Sequence, residues 1–250
     1  MSQDMYAGIA ARYDLFHGEF GQVDPAVTEF FRQLFREHQV QSVLDCACGT
    51  GHDLPLFHSL DCEVVGSDIS PAMLAQAERN LAEYGLQVPL HRVDYRKLPG
   101  YFDREFDAVM CLSSSILHMP TEADLLRAFQ SMRAVLRDGG ILVLTQGTTD
   151  KQWKEKPRFI LAVNDSDFTR LFVIDYLGEG ARYNILDIHH AETERDLEVW
   201  SVEYSRVYLR DDQERLLKAS GFETIDFYGS YRREPYDKET SNRLIAVAQK

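Results

Sequence analysis

The sequence has no concentration of positive charge. Its 250 residues carry 27 Lys and Arg against 40 Asp and Glu, a formal net charge of −13, and the basic residues are scattered in ones and twos. Long-range attraction to a phosphate backbone or an anionic lipid surface is therefore unfavourable, which sets aside nucleic acid and membranes as partners. Long apolar runs are missing too. The longest, around Ile141 to Leu144, is far short of a bilayer span, and the opening MSQDMYAG lacks the charged-then-apolar layout of a signal peptide. A soluble, cytoplasmic chain is expected. Cysteine is scarce: Cys46, Cys48, Cys62 and Cys111 sit in or beside apolar strand-like runs, with no CxxC or Cys/His spacing of the kind zinc needs. Buried free thiols are expected, with no disulfide framework and no metal. What is plentiful is apolar surface, at 44% hydrophobic residues, enough for one large domain or one domain with an inserted subdomain.

From about Asp24 to Thr145, apolar runs bounded by turn signals alternate with helical patterns, the βαβ rhythm of a mostly parallel sheet with helices on both faces. A helix bearing Val27, Phe30, Phe31, Leu34 and Phe35 precedes a strand at 42–45; further strands are expected at 63–68, 90–94, 106–112 and 141–145. Helices fall near 53–59, 71–84 and 121–136, with Pro71 and Thr121 at their starts and Gly139-Gly140 as the turn into the fifth strand. Beyond Gly147 the period changes to two. Phe168, Arg170, Phe172, Ile174 and Tyr176 share one face, and Trp200, Val202, Tyr204, Arg206 and Tyr208 share another strand, so 158–209 reads as an antiparallel β insertion. The aromatic stripe Trp200, Tyr204 and Tyr208 is expected in the core of that sheet, and His189 and His190, on opposite faces, at its surface. A helix at 211–219 and closing strands at 223–228 and 242–248 return the chain to the main sheet, so 24–157 and 210–250 form one domain around the insertion.

The first strand runs into Asp45-Cys46-Ala47-Cys48-Gly49-Thr50-Gly51-His52-Asp53, a glycine-bearing turn directly before a helix. Small residues let backbone approach a ligand there, and the helix start offers free N–H groups. Asp68 closes the second strand, where a carboxylate can accept both hydroxyls of a ribose. Together these indicate a cofactor containing adenosine. A dinucleotide would need a third glycine where Leu54 stands, and the Lys-Ser/Thr of a P-loop is absent. Asp45 beneath the turn would repel a pyrophosphate but suits an ammonium or a sulfonium. S-adenosylmethionine carries both cations and no phosphate.

The ordered set VLDCACGTG, VVGSDIS, PAML, VDY and LRDGGILVL resembles the class I S-adenosylmethionine-dependent methyltransferases. The resemblance implies a Rossmann-like α/β fold, a seven-stranded, mostly parallel sheet with its last strand antiparallel. By the same likeness Gly49 and Gly51 approach the methionine part, with Asp45 and the Ala47 carbonyl near its ammonium. Asp68 holds the ribose, Ile69 and Met73 pack on adenine, and Asp94 with Tyr95 meets the adenine edge. The backbone at Leu112 and Ser113 floors the pocket near the sulfonium. FDAVMCLSSSILHMP is similar to the corresponding segment of glycine N-methyltransferases, and YAGIAARYDLFHGEF resembles the N-terminal lid of amino-sugar N-methyltransferases. The likeness makes 1–23 a lid that lays Tyr6 and Tyr13 over cofactor and acceptor.

Methyl transfer from a sulfonium is an in-line displacement that chiefly needs positioning and exclusion of water. The candidate catalytic side chains are Tyr13 and His118, the latter as the base a hydroxyl acceptor would want. Ser114 and His118 are expected to face the acceptor. Two departures bear on its identity: Ser114 stands where glycine enzymes carry Asn, and Gly147 where they carry a carboxylate-binding Arg. Free glycine is therefore not the expected substrate; Arg232 and Arg233 are expected as solvated surface charge, with holding an anionic acceptor as the alternative. The reading is an enzyme that methylates a small molecule, most simply at an amine nitrogen. An O-methyltransferase and a noncatalytic S-adenosylmethionine-binding protein are the alternatives. The insertion would serve as substrate cap or as the interface of a homo-oligomer.

Overall fold

The computed structural model describes residues 4–16, 19–191 and 195–250. Of the expected lid, 1–3 and 17–18 lie outside the described residues, as do 192–194 of the expected insertion.

Five strands and four α-helices build the parallel part. Strands β1 (Ser42–Asp45), β2 (Glu63–Asp68), β3 (Leu90–Arg92), β4 (Phe106–Cys111) and β5 (Leu136–Gln146) lie parallel. Helices α1 (Pro25–His38), α2 (Leu54–Ser59), α3 (Pro71–Tyr84) and α4 (Glu122–Ala134) cover the two faces. Their starts are set locally. Pro occupies the first turn of α1, α2 and α3, where a missing N–H costs nothing, and Asp24, Ser70 and Thr121 side chains cap α1, α3 and α4. Near-continuous apolar burial of β1, β4 and β5 follows from coverage on both faces. After the short helix α5 (Asp150–Glu155), the strands β6 (Phe159–Asn164), β7 (Phe168–Leu177), β8 (Gly180–His190) and β9 (Arg195–Tyr204) form a separate four-stranded antiparallel sheet. The chain returns through α6 (Arg210–Ala219), β10 (Thr224–Tyr228) and β11 (Leu244–Gln249).

The main sheet has seven strands in the order β10-β11-β5-β4-β1-β2-β3, with β11 antiparallel to both neighbours. The order reverses at β1, which opens a crevice beyond its carboxyl end.

Several boundaries differ from the sequence expectation, and three of them have a clear local cause. β5 begins at Leu136, so Gly139-Gly140 lies inside it; Gly139 at φ +76° absorbs a register shift that takes pairing from Phe106–Leu136 to Ala108–Ile141. β3 ends at Arg92 because the Asp94 carboxylate accepts the Arg96 N–H and starts a 3-10 turn at Tyr95–Gly100. β9 ends at Tyr204, so Arg206 and Tyr208 leave the stripe, and the buried Tyr208 hydroxyl donates to the Met119 carbonyl at 3.0 Å. All four cysteines are buried. Among the described residues no helix is long and apolar enough to cross a membrane.

Candidate active site

The turn after β1 is held by carboxylates rather than by cations. Asp45 is 2% exposed and its Oδ1 accepts the Ala47 N–H at 3.1 Å. Asp68 spans two elements: Oδ2 accepts the Gly49 N–H at 3.0 Å and Oδ1 accepts the Ser70 N–H at 2.8 Å. The turn requires Gly49 and Gly51 at φ +54° and +81°, and a Cβ on Gly66 in β2 would come 2.7 Å from Leu90 and 3.1 Å from the Cys48 sulfur. Burial pushes the Asp45 carboxyl well above its ordinary range, with the Asp53 and Asp68 charges adding to it. Burial raises Asp68 and Asp53 as well. Three carboxylates that resist ionisation around one turn favour a cation beside them, and a pyrophosphate would meet like charge at close range.

A small crevice of about 30 Å³ enters this turn between Ala47, Cys48, Gly49 and Thr50 on one side and Leu112, Ser113 and Ser115 on the other. Beside it lies a cavity of about 810 Å³, and Tyr13, His52, Asp53, Leu112 and Ser113 line both. Ser113 and Ser114 are successive left-handed residues, at φ +54° and +67°. Buried Thr145 at the end of β5 holds them. Its hydroxyl accepts the Ser113 N–H and its carbonyl accepts the Ser114 N–H, each at 2.8 Å. The Ser114 hydroxyl in turn accepts the Gly147 N–H at 3.1 Å.

The N-terminal segment covers both spaces. Asp4 accepts the Ser70 hydroxyl at 2.8 Å and the Ala72 N–H at 3.1 Å at the start of α3. Asp14 accepts the Thr50 hydroxyl and the Asn80 amide. Arg12 pairs with Asp187 and Glu198 of the second sheet. Between these anchors Tyr6 and Tyr13 meet edge to face, ring centroids 5.9 Å apart. The Tyr6 hydroxyl and His118 Nε2 are 2.6 Å apart, Tyr6 packs on Trp200, and His118 packs on Tyr204. Burial pushes the His118 imidazole down to about 4 and Tyr13 up to about 12. His118 is thus a neutral ring at physiological pH.

The expected site residues fall into three groups. Asp45, Ala47, Gly49, Gly51, Asp68, Leu112 and Ser113 surround or build the crevice, and Tyr6, Tyr13 and Ser114 line the cavity, with His118 bonded to Tyr6. Met73 is buried against the turn, its Cε 3.5 Å from where a Gly49 Cβ would stand, whereas Ile69 is 56% exposed at the open edge. Asp94 is already engaged: both of its oxygens accept from the Arg96 guanidinium. Burial works against its ionisation, yet these bonds keep it below the ordinary range. The Tyr95 hydroxyl donates to the Ser115 carbonyl at 3.0 Å.

Other expectations need correction. Trp200 and Tyr204 line the cavity, because the inner face of the second sheet is also the cavity wall. Arg232 and Arg233 keep the surface role expected of them: Arg232 is exposed and does not line the cavity, and Arg233 forks onto Glu37 at 2.6 and 2.7 Å. Arg243, which the sequence did not single out, lines it together with Thr145, Tyr183 and Tyr231. These come from strand ends and from the second sheet, where no local motif marks them.

Residues 43–140 match the family model described as a methyltransferase domain. The chain is 32% identical to a glycine/sarcosine N-methyltransferase of Parasynechococcus marenigrum (strain WH8102), over 89% of this chain and 76% of that one. It is 30% identical to a dTDP-3-amino-3,6-dideoxy-alpha-D-glucopyranose N,N-dimethyltransferase of Streptomyces fradiae, over 89% of this chain and 86% of that one. A solved S-adenosylmethionine-dependent methyltransferase from Clostridium acetobutylicum ATCC 824 superposes with a TM-score of 0.81 at 21% identity, covering 98% of each chain.

Proposed function

The chain belongs to the S-adenosylmethionine-dependent methyltransferase family, and from that premise we propose that it methylates an amine nitrogen of a small-molecule acceptor bound in the large cavity. The observation that carries this reading is the junction of the two spaces at Tyr13, Leu112 and Ser113, with a neutral His118 bonded to Tyr6 of the cavity wall. When bound, S-adenosylmethionine supplies an electrophilic methyl group on a sulfonium. Asp45, the Gly49 turn and Asp68 hold its charged and hydroxyl-bearing parts. The Leu112 and Ser113 backbone faces the crevice floor.

The residues present fit an amine. A neutral amine attacks through its lone pair and takes over the positive charge as the S–CH₃ bond breaks, and a wall of Tyr6, Tyr13, Tyr183, Trp200 and Tyr204 stabilises the methylammonium that forms while excluding water. A His118 that protonates only near pH 4 is a poor base for activating a hydroxyl at neutral pH. Its role with Tyr6 is to orient the acceptor through hydrogen bonds. The two curated relatives carry N-methyltransferase names, which supports the same reading.

The test is turnover of matched amine and hydroxyl compounds with S-adenosylmethionine, followed by mass spectrometry of the product. Methylated amines are expected; methylation confined to hydroxyl compounds would reverse the assignment. Asp68→Ala should weaken S-adenosylmethionine binding by roughly 1.5–3 kcal/mol, read by calorimetry, through lost charge-assisted bonds.

The proposal includes self-association through the outer face of the second sheet. There Leu161, Leu171, Leu186 and Val199 are direct cross-strand partners, an apolar row across all four strands. Phe159, Leu197 and Val199 are 63%, 57% and 57% exposed on that face. Its polar flank pairs both signs, Arg158 with Asp175 and Arg182 with Glu203, so a second copy brings complementary charge.

A further inference from the structure

The second sheet meets the cavity with an ordered face. Its register lines up Ile160, Phe172, Ile185 and Trp200 as direct cross-strand partners, one from each of β6 to β9. All four line the cavity, and so do Tyr183 and Val202, which pair in the neighbouring row, and Tyr204 beyond them. Among the described residues the sheet therefore contributes only apolar or aromatic side chains to the lining; polar ones such as Gln22, Gln152 and Asn242 come from other elements. With strands about 4.8 Å apart, the row from Trp200 to Ile160 is an apolar platform about 14 Å long.

The polar handles of this platform are already used. The Tyr183 hydroxyl is 2.7 Å from the Thr148 hydroxyl, and Trp200 Nε1 donates to the Met5 carbonyl at 3.2 Å. The next row on the same face is charged, but its charges close on one another. Arg170 grips Asp187 at 2.6 and 2.7 Å, and Arg12 of the N-terminal segment reaches Asp187 and its cross-strand partner Glu198. What the platform offers a ligand is apolar contact and ring faces rather than hydrogen bonds or charge.

One end of the row stands at the junction with the crevice. Trp200 packs on Tyr6 at 5.4 Å, and Tyr6 meets both His118 and Tyr13, which lines crevice and cavity alike. Ile160, on the edge strand β6, is the far end. The cavity, about 810 Å³, lies towards the upper end of the range that encloses a drug-sized ligand, and a free amino acid beside Tyr6 would leave most of the row uncovered. We infer that the acceptor carries its amine on an extended apolar body, alkyl or aryl, which lies along Trp200, Ile185, Phe172 and Ile160 while the nitrogen stays beside Tyr6. This rests on the amine reading above and names the class of amine. Each further CH₂ laid on such a surface strengthens binding severalfold until the body reaches Ile160.

The test lengthens the body while the reacting group stays the same. Methylamine, butylamine, hexylamine and 4-phenylbutylamine, which are of similar basicity, are compared with the matching alcohols. Initial rates with S-adenosylmethionine give kcat/KM for each, and calorimetry on protein loaded with S-adenosylhomocysteine gives binding without turnover. Hexylamine or 4-phenylbutylamine should be favoured over methylamine tenfold or more, and the heat-capacity change of binding should grow more negative with length. The alkyl and aryl arms distinguish the kind of body. Ile160 is half-buried on an edge strand, so its substitution is expected to leave a folded protein. Ile160→Asp should collapse the long-to-short ratio by raising KM for the long members, and Ile160→Leu should retain it; if Ile160→Asp does not fold, Ile160→Ala makes the same comparison. Rates and binding independent of length, or a ratio untouched by the polar or shortened side chain, overturn the inference while the amine reading stands. Methylation of the alcohols with no amine turned over overturns the amine reading and the class of acceptor named with it. If neither class turns over, length-dependent binding lost in the Ile160 variant supports the platform, and its absence refutes it.

Discussion

Asp45 sets binding against stability. Its carboxyl is raised well above the ordinary range by burial first and by Asp53 and Asp68 next. A group whose folded pKa lies above its unfolded one opposes folding at pH values where the unfolded carboxyl is ionised, and that cost fades as pH falls. Asp45→Asn keeps an oxygen for the Ala47 N–H and removes the charge. The unliganded variant should therefore melt a few degrees higher at pH 7, on the order of 1 kcal/mol, while S-adenosylmethionine binds at least tenfold more weakly. Differential scanning calorimetry and titration calorimetry read the two sides. Affinity equal to wild type would take Asp45 out of the cofactor site. His118 has the opposite sign. Its folded pKa is pushed from 6.5 to about 4 by burial, so the unfolded chain takes up the proton first and stability falls as pH drops from 6.5 towards 4, by up to about 3 kcal/mol. Urea titrations at pH 7.5, 6 and 5 should show wild type losing ground to His118→Gln as acid is added. Parallel pH dependence would mean that His118 titrates normally.

Among the elements, the N-terminal segment is tied to everything the reaction needs. Asp4 holds the start of α3, Asp14 holds Thr50 and Asn80 at the cofactor turn, and Arg12 holds the second sheet. Leaving the site thus breaks bonds on three elements, and departure of the demethylated product is expected to be slow. Asp14→Ala should speed S-adenosylhomocysteine release severalfold and lower the transfer rate, because Tyr6 and Tyr13 lose their anchor. Stopped-flow fluorescence of Trp200, whose ring is 5.4 Å from that of Tyr6, can follow it. Unchanged release would show that the segment does not limit exchange. The same contrast explains what could be read in advance. Each βα unit carries its own local signals, such as Asp68 at a strand end, Ser70-Pro71 at a helix start, and the Gly49 and Gly51 turn, so the parallel sheet and the turn that borders the crevice are legible in the sequence. Period-two spacing puts Trp200 and Tyr204 on one face of a sheet without saying what that face meets. Thr145, Tyr231 and Arg243 became site residues only through strand pairing far along the chain.

For the whole molecule, the second sheet has two apolar faces and the chain covers one. Its inner face walls the cavity through Ile185, Trp200, Val202 and Tyr204, whereas in the outer row Leu161–Leu171–Leu186–Val199 the end residues Leu161 and Val199 are exposed and the middle two half-buried among the described residues. Exposed apolar surface of that extent on a four-stranded sheet is a liability unless it is covered, and two such sheets can stack face to face about 10 Å apart. Closure by a two-fold puts the row against itself, which caps association at two copies. The net charge of −13 works against the pairing, so added salt should favour it. Sedimentation velocity at micromolar concentration is expected to give a dimer that tightens between 50 mM and 300 mM salt. Leu161→Glu with Val199→Glu should give a folded monomer, since Leu161 and Val199 are 59% and 57% exposed within the chain and lose only their cross-strand contacts with Leu171 and Leu186. The cavity lies on the other face of the sheet, so the monomer should still bind S-adenosylmethionine. A wild-type monomer at all salt concentrations, or a double variant that remains dimeric, would show that this face is not where copies meet.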